Sequence, residues 1–137
     1  MNRKSLAFTV KEYRDRVQRV QAIVKACGLD GLLLHNLASI CYLTGFESLS
    51  VHKFWVCLVR PEGDPLLLVQ DFESYNSQWG CWATEIETFG VTADPLAALR
   101  QFRHDQKLNL NKLGLDLGIA SPTQPPEVVS IYSEQCD

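Results

Sequence analysis

The stretch Leu32-Leu33-Leu34-His35, set off by Gly28 and Gly31, places the tightest limit on the fold. A continuous apolar run this short, bounded by glycine, predicts a strand buried on both faces. Such a strand needs a covering layer above and below, so the chain must supply helices to two sides of a sheet. The preceding segment supplies one of them. Val10, Tyr13, Val17, Val20, Val24 and Cys27 recur at alternating steps of three and four, which puts them on one helical stripe. Thr9 followed by Glu12 predicts a capping box, Phe8 against Tyr13 a hydrophobic staple, and Gly28 a left-handed exit. Lys11, Arg14, Arg16, Arg19 and Lys25 fall outside that stripe and read as a solvated face.

The remaining segments keep alternating. Asn36 to Leu43 predicts one or two helical turns capped by Asn36 or Ser39, and Phe54 to Val59 a second strand. Pro61-Glu62-Gly63-Asp64 is a turn that leads into a third strand, Leu66 to Val69, so the two strands should form an antiparallel hairpin. Phe72 to Trp79 reads as a helix ending near Gly80, and Glu85 to Phe89 as a strand with one wetter face. Asp94 caps a helix with Pro95 in its first position and Leu96, Leu99, Phe102 and Leu108 on its packing side. Leu113 to Asp116 is the last strand; a helix starting at Ser121-Pro122 would be interrupted by Pro125-Pro126. The expected fold is α/β, a mixed β-sheet with helices on both faces, in a single domain over residues 1–137 whose end, 122–137, is the start of a linker or an irregular tail.

Composition narrows the function. Thirteen Lys and Arg against sixteen Asp and Glu leave a net charge of −3, which offers no electrostatic footprint for nucleic acid. No apolar run approaches the ~20 residues needed to span a bilayer, and the start leads into no secretory segment, so no membrane partner and a cytoplasmic location are expected. Five cysteines, an odd number with no metal-ligand spacing, read as reduced thiols, with Cys27 and Cys57 as small core residues.

Side-chain chemistry is sparse. His35, His52 and His104 belong to no ligand pair, and no phosphate-binding glycine loop or nucleophile elbow occurs. His35, at the end of the first strand, reads best as a histidine satisfied by local hydrogen bonds. Asp71 and Glu73 read best as acids favoured by a helix N-terminus, and Phe72, Tyr75, Trp79 and Trp82 as packing aromatics. The residues alone contain no complete active site.

Asp30-Gly31-Leu32-Leu33-Leu34 followed by Ile40-Cys41-Tyr42-Leu43-Thr44-Gly45-Phe46 is more distinctive. Together with Phe8 to Tyr13, the Pro61 turn and Lys112 to Asp116, it resembles the N-terminal domain of the creatinase, prolidase and aminopeptidase P family. The resemblance covers Phe8 to about Ser121 and implies a ribonuclease-H-like mixed α/β fold. It implies a further, C-terminal pita-bread domain, where two Asp, one His and two Glu bind two divalent metals (Mn, Co or Zn) that activate water. No residue here matches those ligands, so no catalytic residue, no metal and no cofactor is expected in this chain. The resemblance also implies a role in homo-oligomers, most simply a dimer, with the loop Phe46 to Lys53 reaching a neighbouring subunit's substrate site. Phe46 would be an apolar wall, His52 a hydrogen-bonding group and Lys53 a cation near a substrate carboxylate. The implied parent is a Xaa-Pro dipeptidase or aminopeptidase P-like metallopeptidase acting on a small peptide. Two alternatives remain: a creatinase-like amidinohydrolase parent with an amide substrate, and a stand-alone binding module built on Phe72 to Trp82.

Overall fold

The computed structural model describes residues 6–49, 54–82, 85–107 and 111–116. Helix α1, Val10–Ala26, starts where the capping signals place it. The Thr9 hydroxyl accepts from the Glu12 amide at 3.2 Å, and Phe8 meets Tyr13 edge-on with centroids 6.0 Å apart. The Glu12 carboxylate does not close the capping box by reaching back; it binds Arg16 at 2.6 Å instead. Gly28, at φ +64°, turns the chain out of the helix.

Strand β1, Gly31–Leu34, follows, and then α2, Leu37–Thr44, whose cap is Asn36 rather than Ser39. The Asn36 side chain accepts from the Ala38 amide at 2.9 Å. Strands β2, Trp55–Val59, and β3, Leu66–Gln70, form the expected antiparallel hairpin. A single 3₁₀ turn, Asp71–Glu73, leads into the short helix α3, Ser74–Gly80. Strand β4 is Ile86–Phe89, α4 is Pro95–Asp105 with Asp94 as its cap, and β5 is Leu113–Leu115.

The five strands lie in the order β4-β3-β2-β1-β5. Strand β2 runs antiparallel to both neighbours, whereas β3 with β4 and β1 with β5 are parallel, so the sheet is mixed. Parallel neighbours require crossovers, and these carry α3 and α4. Asp30 ties the two parallel strands β1 and β5 at their start. Its carboxylate accepts from the Asn111 and Lys112 amides, both at 2.8 Å.

Both faces of the sheet are covered, as the apolar run requires. Trp55, Cys57 and Val59 of β2 join a core with Tyr13, Ile40 and Trp82 on the α1, α2 and α3 side. Val56 and Leu58 turn the other way, onto Leu99 and Phe102 of α4. Strict alternation of side chains along each strand produces the two separate cores.

Cys27 and Arg16 depart from the sequence expectation. Cys27 is exposed, because it caps α1 after the last buried turn; Cys57 is in the core as expected. Arg16 is not solvated but only 6% exposed. Its guanidinium donates to the Tyr42 carbonyl at 2.9 Å and to Glu12, and lies 4.2 Å and 4.4 Å from the ring centroids of Phe8 and Tyr42. A planar cation between two aromatic faces keeps favourable contacts on both sides even when water is removed. Leu108, the Ser121-Pro122 segment, Cys136 and the tail 122–137 lie outside the described residues.

Candidate functional site

The distinctive Leu43-Thr44-Gly45-Phe46 segment forms the C-terminal end of α2 and the root of the following loop. Each residue has a distinct task. The Leu43 carbonyl accepts from the Trp82 indole N–H at 2.8 Å, and the Thr44 carbonyl accepts from the Trp82 amide at 3.1 Å. The Thr44 hydroxyl donates to the Ile40 carbonyl at 2.7 Å and accepts from the Phe46 amide at 3.1 Å, so it bridges the last helical turn and the loop. Gly45 adopts φ +77° and faces Gly80 so closely that a Cβ would stand 2.9 Å from the Gly80 carbonyl oxygen. Only glycine meets both conditions without strain.

Phe46 is completely buried, 0% exposed, and meets Trp55 with ring centroids 6.5 Å apart. Within one chain its ring therefore supports the loop from below. Glu47 and Leu49 are exposed on either side of Ser48, which turns inward. The Ser48 hydroxyl donates to the carboxylate of Glu73, a side chain only 2% exposed. His52 and Lys53 lie outside the described residues.

A cleft of about 470 Å³ opens beside this root, with Phe8, Tyr13, Arg16, Cys41, Tyr42 and Glu47 in its wall. Burial raises the Tyr13 phenol and the Cys41 thiol above their ordinary values; Glu47 acts in the same direction and Arg16 against it. Both shifts favour the neutral forms.

The other singled-out residues do not converge with this loop root. His35 is 2% exposed; its ring is hydrogen-bonded to the Trp55 backbone while its Nε2 has no hydrogen-bond partner, so the satisfied histidine expected there is formed only in part. Desolvation lowers its pKa below the ordinary 6.5. Its backbone carbonyl does serve the core, accepting from the Trp55 indole at 3.0 Å. His104 is exposed in the last turn of α4 beside Asp105. Asp71 is exposed as expected for a turn acid, but Glu73 is buried, because the 3₁₀ turn directs it under the loop. In the aromatic stretch, Phe72 and Tyr75 are exposed while Trp82 is packed; the Trp79 side chain lies outside the described residues.

Among the described residues, no three His, Cys, Asp or Glu side chains come together as a metal donor set. They therefore do not fit the two-metal centre that the resemblance places in another domain. No described helix is long and apolar enough to cross a membrane.

Sequence reasoning singled out the Tyr-Leu-Thr-Gly-Phe segment but missed its partners, Ser48, Glu73 and Trp82 as a hydrogen-bonding group. Nothing in their local pattern links them, since Glu73 is 25 positions from Ser48 and Trp82 is 39 from Leu43.

The family model of the Creatinase/Prolidase N-terminal domain matches residues 16–134. The chain belongs to that family. The N-terminal domain of a Xaa-Pro dipeptidase from Lactobacillus brevis superposes with a TM-score of 0.72 at 18% identity, covering 89% of this chain and 88% of that one. A prolidase from Thermococcus sibiricus superposes with a TM-score of 0.69 at 18% identity, covering 89% of this chain but 32% of that one. Among curated proteins, the ectoine hydrolase of Halomonas elongata is 27% identical over 78 residues, a match that takes in 57% of this chain and 20% of that enzyme's length. The structural likenesses establish the creatinase/prolidase N-terminal fold, a mixed five-stranded sheet with helices, for this chain.

Proposed function

We propose that this creatinase/prolidase N-terminal domain is the non-catalytic part of a Xaa-Pro dipeptidase- or aminopeptidase P-like hydrolase. Its tasks are assembly of the homo-oligomer, most simply a dimer, and shaping of a neighbouring subunit's substrate site. The observation that carries this reading is a difference in coverage. Nearly the whole chain matches a separately solved dipeptidase N-terminal domain, yet the same residues account for 32% of a prolidase. The hydrolytic machinery, with its two divalent metals, then belongs to the remainder of such a protein.

In this reading the loop Phe46 to Lys53 is the contact element. Phe46, completely buried at the root, is its support rather than a wall open to substrate; His52 supplies a hydrogen bond and Lys53 a cation for a substrate carboxylate. The hydrogen-bonded root described above suits that task, because a substrate contact is useful only when its position is fixed.

The first test uses the purified chain with Mn²⁺ or Co²⁺ and an Xaa-Pro dipeptide. No turnover is expected, and metal-dependent turnover would overturn the proposal. In a protein carrying both domains, Lys53→Ala should raise KM for the dipeptide with less effect on kcat; an unchanged KM would remove Lys53 from the site.

A second reading, a parent acting on a small amide or amidine rather than a peptide, is supported by the ectoine hydrolase match, 27% identical over 78 residues. Assaying the two-domain protein against both substrate classes separates the readings. The stand-alone binding module is disfavoured by the burial of Trp82, which spends both its N–H groups on the loop root.

A further inference from the structure

We infer that Glu73 is the positioning residue of the loop that leaves Phe46, acting through Ser48. Three observations carry this. First, a carboxylate is costly to bury without partners, and the same 3₁₀ turn leaves Asp71 exposed, so this local structure does not by itself force an acid inward. Second, the buried carboxylate accepts from Ser48, the residue between exposed Glu47 and Leu49. Third, the turn and α3 touch the loop at both of their ends. The start holds Ser48 through Glu73, while the end and the residues just beyond it hold Leu43 and Thr44 through Trp82 and pack Gly80 on Gly45.

One attachment fixes where a segment begins but lets it pivot. A second attachment, a few residues on, fixes its direction. The Trp82 bonds are the first and the Glu73–Ser48 bond is the second, so Glu73 fixes the direction the chain takes through Ser48. The consequence for a neighbouring subunit rests on the function proposed above; the anchoring itself does not.

Native-state proteolysis of this chain with a glutamyl endopeptidase tests the anchoring. Cleavage at Glu47–Ser48 requires the segment to lift off, whereas Glu62, exposed in the Pro61 turn, is an internal control for general opening. Ser48→Ala and Glu73→Ala should raise nicking at Glu47 by roughly tenfold or more, after normalising to the denatured chain, and leave nicking at Glu62 unchanged. Glu73→Gln and Ser48→Thr keep an acceptor and a hydroxyl, and each should stay within about threefold of the unaltered chain. Unchanged nicking in Ser48→Ala would overturn the inference. So would a parallel rise at Glu62, or a Glu73→Gln variant as fast as Glu73→Ala. Ser48→Ala removes one hydroxyl from a half-buried loop residue and keeps the test open should Glu73→Ala fail to fold. Because the assay reads no catalysis, its failure is distinct from failure of the proposed function.

Discussion

Gly28 and Gly45 offer a matched pair for measuring what the loop root contributes. Both have positive φ, +64° and +77°. A Cβ at Gly28 would meet nothing within 4 Å, whereas one at Gly45 would stand 2.9 Å from the Gly80 carbonyl oxygen, 3.1 Å from Leu6 and 3.2 Å from the Tyr13 hydroxyl. The left-handed conformation costs alanine about 1–2 kcal/mol. Reduced freedom of the unfolded chain returns roughly 0.4–1 kcal/mol of that. Gly28→Ala should therefore lose about 1 kcal/mol. Gly45→Ala carries the same strain plus a collision. Leu6 can move aside, but the Gly80 oxygen is backbone held by α3, so overpacking adds about 1–3 kcal/mol. The total is roughly 2–4 kcal/mol, equivalent to a fall in Tm of about 4 °C per kcal/mol. Urea unfolding followed by tryptophan fluorescence measures both variants, provided the slopes agree. Losses equal within about 0.5 kcal/mol would refute the argument, because strain alone would then account for Gly45.

Three further outcomes are expected. Burial keeps the His35 imidazole below its ordinary 6.5, so the unfolded chain takes up that proton first. This contribution to stability is present above about pH 6.5 and is lost as pH falls below it; urea midpoints at about pH 7.5 and 5.5 should differ less in His35→Leu than in the unaltered chain. Arg16→Ala, which leaves the Tyr42 carbonyl and Glu12 without their donor, should lose roughly 2–4 kcal/mol in urea unfolding, and Arg16→Lys a large part of that because the planar fork is gone. Burial also pushes the Cys57 thiol far up, so mass-spectrometric mapping after treatment with a thiol reagent should find Cys27 modified in the folded chain and Cys57 only in denaturant.

The candidate site was half legible. The short helix ending near Leu43 was legible, and α2 does end at Thr44; the left-handed conformation of Gly45 was not read from the sequence. The partners of this helix end were not legible, because Trp82 and Glu73 reach the root only after β2, β3 and the 3₁₀ turn have brought α3 back beside α2. Arg16 shows the same limit. Helical spacing puts it beside the apolar stripe with the other cations, yet Phe8 and Tyr42, supplied by two other segments, close over it.

Local signals along the chain specify its helices and strands, the 3₁₀ turn apart, and the class of fold. Apolar periodicity, caps and turn residues act over a few neighbouring positions, and their physics is complete within each segment. The tertiary structure alone decided which polar groups would be buried, since desolvation and hydrogen-bond partners depend on what distant segments bring into contact. That is why the antiparallel hairpin could be read from four turn residues, while the acid that fixes the loop's direction could not be told from its exposed neighbour Asp71.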